Sequence, residues 1–135
     1  MDKVTIEKLV QEARNVMKNS YSPYSKFPVG CAILTRDNRI YTGVNVENVS
    51  FGATNCAERS AIFTAISDGQ RPGFIKAIAV AGDTESFLPP CSICRQVLVE
   101  MASPQTPVYL TRQDQQILET SVGELVPLAF EKMEK

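Results

Sequence analysis

Two short cysteine motifs constrain this chain more than any other feature, because each is inert unless the fold brings it to the other. The first is Cys56-Ala57-Glu58-Arg59; the second, further along, is Pro90-Cys91-Ser92-Ile93-Cys94. Any helix can carry Cys and Glu two residues apart, so the first motif alone says little. Together they offer three thiolates, one free carboxylate and a permanent cation. Three protein ligands leave one position of a tetrahedral ion open to water, the arrangement of a catalytic rather than a structural zinc site. The chain contains no histidine, so any N/S zinc site must be built from cysteine.

The periodicity around the motifs predicts the scaffold. Ile6, Leu9, Val10, Ala13 and Met17 recur at helical spacing behind Thr5, which reads as an N-cap. Turn-forming residues 19–28 end that helix. Val29–Thr35 and Ile40–Val44 flank the polar turn Arg36-Asp37-Asn38-Arg39 as a β-hairpin. Asn45-Val46-Glu47-Asn48 is too polar to continue a core strand. A helix from Cys56 to about Ser67 stops at Asp68-Gly69, and the β-branched apolar run 75–81 reads as a buried strand. A further helix runs from Cys91 to about Met101, and 107–110 and 116–120 are strand candidates. Ser121-Val122-Gly123-Glu124 has capping-box spacing and opens a last helix. The sum is one α/β domain over residues 1–135, a five-stranded mixed sheet with helices on both faces.

Composition narrows the function classes. A hydrophobic share of 44% against 21% charged residues supports one ordinary globular core. With a net charge of -1 and scattered Lys and Arg, the chain has no footprint for a polyanion, so no nucleic-acid partner is expected. Met1-Asp2-Lys3-Val4-Thr5 lacks the apolar stretch of a signal peptide and no membrane span is evident, so a cytoplasmic protein is expected. In that setting a C-x-x-C pair points to metal or redox chemistry rather than a disulfide. The fourth cysteine, Cys31, sits in the apolar run Val29 to Leu34 and reads as a small core residue.

The spacing permits specific chemistry. Cys94 follows Cys91 by three residues, on one helix face and within reach of one ion. If Cys56 opens its own helix, zinc lies between two helix N-termini, whose positive dipole ends favour thiolates. Glu58 sits roughly 200° around the helix from Cys56, so it serves as a proton shuttle beside the metal rather than a ligand. Three thiolates leave the zinc complex with a net negative charge. Arg59, on the side of Cys56, offsets this by hydrogen bonding to sulfur. A redox pair would leave Cys56 and Glu58 unexplained, and a structural zinc site would need Cys31 as its fourth ligand.

At this point the sequence resembles the small, homotetrameric, zinc-dependent cytidine deaminases over nearly its whole length. The family's segments appear in order: Tyr24-Ser25-Lys26-Phe27-Pro28-Val29-Gly30, Asn45-Val46-Glu47-Asn48, Cys56-Ala57-Glu58-Arg59, Pro90-Cys91 through Cys94-Arg95-Gln96, and Glu124-Leu125 through Phe130. The resemblance implies a three-layer α/β/α fold and hydrolytic deamination of cytidine and deoxycytidine to the uracil nucleosides in pyrimidine salvage. It makes Cys56, Cys91 and Cys94 the ligands of one Zn²⁺ per chain. Glu58 is then the acid and base while zinc-activated water attacks C4. Phe27 would flank the pyrimidine, Asn45 and Glu47 the sugar, and the backbone at Ala57 the base edge. Phe130 would pack on the base in a neighbouring subunit's site. Ser92-Ile93 and Phe51 depart from the family's usual Gly-Ala and Tyr. The rival readings are a same-fold deaminase of another aminopyrimidine nucleoside, such as blasticidin S, and a non-catalytic zinc-stabilised interaction module. Arg59 speaks against the first.

Overall fold

The structure, a computed structural model, describes residues 1–133. Its sheet has the order β2-β1-β3-β4-β5, with β1 Val29–Thr35, β2 Ile40–Val44, β3 Ile75–Gly82, β4 Pro107–Thr111 and β5 Ile117–Ser121. β3 is central, which explains a run of apolar residues with no polar face. Its two faces differ in size. Ala77, Ala79 and Ala81 pack with Ala32, Leu34 and Tyr109 beneath α1 (Lys3–Val16). Ile78 and Val80 pack with Cys31, Ile33, Val108 and Leu110 beneath α2 (Ala57–Ser67) and α3 (Ser92–Met101). This is the expected α/β fold, with helices on both sides of a five-stranded mixed sheet.

Pairing is antiparallel except between β3 and β4, the two strands joined through α3 as parallel neighbours require. Two glycines set how closely the helices lie on the sheet. A Cβ at Gly30 would come 2.0 Å from the carbonyl oxygen of Ala13, and one at Gly43 would come 2.3 Å from the Ala61 nitrogen. Neither approach leaves room for a side chain, so both α1 and α2 are seated directly against backbone.

Two ends differ from the sequence expectation. The cap of α1 is Asp2, whose carboxylate accepts from the Thr5 backbone N–H at 2.7 Å. Thr5 is therefore the donor three residues in, the position an N-cap side chain serves. The Ser121–Glu124 box is formed, with Ser121 Oγ accepting from the Glu124 N–H at 3.2 Å. Yet α4 (Val122–Leu125) is a single turn, because Val126 precedes Pro127 and such a residue is driven out of helical geometry. Among the described residues no helix is long and apolar enough to cross a membrane.

Candidate active site

Both cysteine motifs sit at helix starts, and in each the N-cap is a cysteine: Cys56 for α2 and Cys91 for α3. Neither side chain makes a capping hydrogen bond. The free N–H groups and positive ends of both helices are thus left to the sulfurs. The Sγ atoms of Cys56, Cys91 and Cys94 lie within 4.8 Å of one another, and Cys56 and Cys91 are separated by 3.7 Å. Tetrahedral zinc with Zn–S bonds of about 2.3 Å spaces its sulfurs about 3.8 Å apart. A disulfide needs about 2.05 Å. The spacing fits one ion, and all four cysteines are free. Cys31 is fully buried in the core and stands outside the cluster.

The electrostatics favour thiolate. Hydrogen bonds from Cys94, Arg59 and Cys91 hold the Cys56 thiol down at about 5. The Cys56 thiolate and burial push Cys94 upward, so the first proton leaves from Cys56. Arg59 Nη2 donates to Cys56 Sγ at 3.1 Å, as its spacing on α2 predicts. Burial opposes the Arg59 charge, but contacts with Cys56 and Cys94 more than compensate and raise its pKa.

Glu58, in the first turn of α2, is buried. Desolvation, with some help from the Cys56 charge, lifts its carboxyl up to about 7. A group titrating there both holds and releases a proton near neutral pH.

Beside the cluster opens a cleft of about 480 Å³. Phe27, Asn45 and Glu47 line one part, Cys56, Ala57, Glu58 and Cys91 another. Among the described residues no Lys or Arg lines it. Asn45 holds the cleft's outer segment in place. Its Oδ1 accepts from Ser20 Oγ and, at 2.9 Å, from the Val29 N–H, and its Nδ2 donates to the Phe27 carbonyl at 2.8 Å. Glu47 does the same one step along. Its Oε1 accepts from the Tyr24 and Ser25 N–H groups, each at 3.0 Å, and its Oε2 from Ser25 Oγ. These bonds hold its carboxyl below the usual range. Lys26 adopts the left-handed region at φ 58°, the turn that carries the chain from Ser25 to Phe27.

Phe130 is not brought to this cleft. It is 64% exposed, and its carbonyl accepts from Gln96 Nε2 on α3 at 2.8 Å. Sequence reasoning overlooked Ser25, Thr54, Asn55, Leu88 and Pro89, which also line the cleft. Ser25 lies within the Tyr24–Gly30 segment, and Leu88-Pro89 directly precede Pro90-Cys91, so adjacency is the one available signal.

Residues 3–110 match the family model described as the cytidine and deoxycytidylate deaminase zinc-binding region. The chain is 50% identical over 127 residues to the cytidine deaminase of Sporosarcina psychrophila, covering 94% of this chain and 92% of that one. It is 47% identical to the cytidine deaminase of Halalkalibacterium halodurans, over 90% of this chain and 91% of the relative. Among solved structures, the cytidine deaminase from Burkholderia pseudomallei superimposes with a TM-score of 0.90 at 43% identity, covering 96% of this chain and 100% of that one.

Proposed function

The chain belongs to the cytidine and deoxycytidylate deaminase family, and from that premise we propose that it hydrolyses cytidine and deoxycytidine to the uracil nucleosides, releasing ammonia. The observation that carries this is a three-thiol cluster of zinc dimensions with buried Glu58 beside it, at one wall of an open cleft. Relatives sharing up to half their residues with this chain are cytidine deaminases, which favours cytidine over another aminopyrimidine. An interaction module would have no use for the open cleft and the neutral-range carboxyl.

Cys56, Cys91 and Cys94 would hold the ion, which when bound would supply a Lewis acid able to lower the pKa of water. Glu58 carries a proton near neutral pH and gives it to N3 of cytosine as water adds at C4. It then takes both protons of the added water in turn, passing one to the departing amine and keeping the other, so that water enters, ammonia leaves and Glu58 ends protonated as it began. Arg59 draws charge from the Cys56 sulfur through its hydrogen bond. The uncapped start of α2 leaves the Ala57 N–H free to meet the base edge, and Phe27 flanks the ring.

Glu47 and Asn45 bind the sugar. Three of roughly four acceptor sites on the Glu47 carboxylate are already filled, leaving one for a hydroxyl. Among the described residues the cleft has two carboxylates and no cationic side chain, which favours an uncharged nucleoside over a phosphorylated one. A role in cytoplasmic pyrimidine salvage follows from that substrate. The assembly is a homotetramer in which Phe130 reaches a neighbour's cleft.

The test is ammonia release from cytidine with zinc measured on the same sample. One zinc per chain is expected, lost when Cys56, Cys91 or Cys94 is changed to Ala. Full zinc in all three variants, or zinc without turnover, would sink the proposal.

A further inference from the structure

Arg95 stands one residue beyond the buried thiol Cys94, yet the chemistry above gives it no task. Its guanidinium goes to two main-chain carbonyls: Nε donates to Pro90 O at 2.7 Å and Nη1 to Leu125 O at 3.1 Å. Among the described residues neither acceptor has another hydrogen-bond donor. Pro90 is among the most deeply buried residues and directly precedes Cys91, the cap of α3. Leu125 ends α4, where the last carbonyls lack partners within the helix and a cation serves well. Gln96, the next residue, holds the Phe130 carbonyl at 2.8 Å. Two consecutive side chains of α3 therefore hold the C-terminal segment at both of its ends, residues 125 and 130. One of the two also fixes the turn that presents Cys91.

We propose that Arg95 is a positioning residue that couples the thiolate turn of α3 to the C-terminal segment 126–130, so that zinc binding and the placement of this segment are linked. The idea rests on the zinc site proposed above. The fork of the guanidinium spans two carbonyls at once, which an ammonium on a flexible stem does not reproduce. A zinc ion that fixes Cys91 fixes Pro90 O. Arg95 then has one orientation, and Leu125 O is held with it. Linkage is reciprocal: loosening the segment at Leu125, the end that Arg95 holds, weakens the hold on the metal.

The experiment uses the full chain, zinc-loaded and zinc-free. Zinc release to a chromogenic chelator gives one readout, and hydrogen exchange of the backbone amides in 126–131 gives the other. In the parent protein, zinc should slow exchange in that segment. Arg95→Ala should speed zinc release by about tenfold or more, the scale of losing one charged hydrogen bond, and should abolish the effect of zinc on exchange. Gln96→Ala should raise exchange near Phe130 whether or not zinc is bound, with zinc release close to that of the parent. If Arg95→Ala does not fold, Arg95→Lys decides: it keeps the charge but spans one carbonyl, and should show faster release and a weakened exchange response. Parent-like release and response in the Arg95 variant overturn the coupling. A parent chain that takes up no zinc overturns the zinc site first and the coupling with it, an outcome visible before any variant is made.

Discussion

The proton-transfer role proposed for Glu58 comes with a folding cost, and one substitution separates the two. Glu58→Gln should keep the fold and the zinc but lower kcat by the 10²–10⁴-fold typical of a positioned acid and base. In the metal-free protein the same change should stabilise. The Glu58 pKa rises from 4.5 to about 7 on folding, so between those values the folded state binds more protons than the unfolded one, and stability falls as pH rises. The cost is absent below 4.5 and complete above 7. Urea unfolding should therefore show metal-free Glu58→Gln more stable than its parent at pH 8, by up to about 3 kcal/mol, and level with it at pH 4. An advantage that does not vary with pH would contradict the buried-carboxyl account. Glu47 has the opposite sign, because Ser25 and Tyr24 hold its pKa down. Its contribution is present above the ordinary carboxylate range and lost as pH falls through the lowered value. Glu47→Ala should raise KM for cytidine by the equivalent of about 1.5–3 kcal/mol while zinc content stays whole. An unchanged KM would leave Glu47 only its structural bonds to Tyr24 and Ser25.

At the scale of elements, the seat of α2 on β2 determines where Cys56 and Glu58 stand. Gly43→Ala would put a methyl 2.3 Å from Ala61 N and 2.6 Å from Ala57 O, both backbone atoms of the helix that carries Glu58. The helix must move, at about 1–3 kcal/mol of stability, and kcat should fall with it. Gly52→Ala has open space around it and should change neither Tm nor kcat; equal effects from the two would deny the close seating. The strands of the hairpin were legible because turn residues bracket two apolar runs, and both cysteine-capped helices because breakers follow them. The Asp2 cap was missed because Asp2 and Thr5 are both good capping residues, and which one accepts depends on where the helix begins. The strand order was not legible at all. β3 pairs with β1 and β4, and local periodicity carries no information on such distant partners. The Glu47 carboxylate was expected to face a sugar, and its bonds to the Tyr24–Ser25 backbone appear only once the two segments are folded together.

For the whole molecule, the tail is the open end of the design. Phe130 is 64% exposed and Leu128 fully so, in a segment that is apolar for a surface. If neighbours share sites, mixing Phe130→Ala chains with Glu58→Ala chains under subunit exchange should restore activity, since some sites then combine an intact residue from each. Full activity in a monomer at working concentration would refute sharing. The cluster of three thiols was legible from the two cysteine motifs, whereas the shared site rests on family resemblance because one chain holds no trace of its neighbour. The separation of Cys56 from Cys91, 35 residues in sequence and 3.7 Å in space, has one more consequence. An unfolded chain would have to close that loop to offer the same thiols, an entropic cost of roughly 4 kcal/mol. The folded sheet has met that cost before the ion arrives, so the chain is a preorganised chelator. Metal occupancy thereby becomes a gauge of folding: a destabilising change far from the cleft, in the packing beneath α1 for example, should register as a lower affinity for zinc.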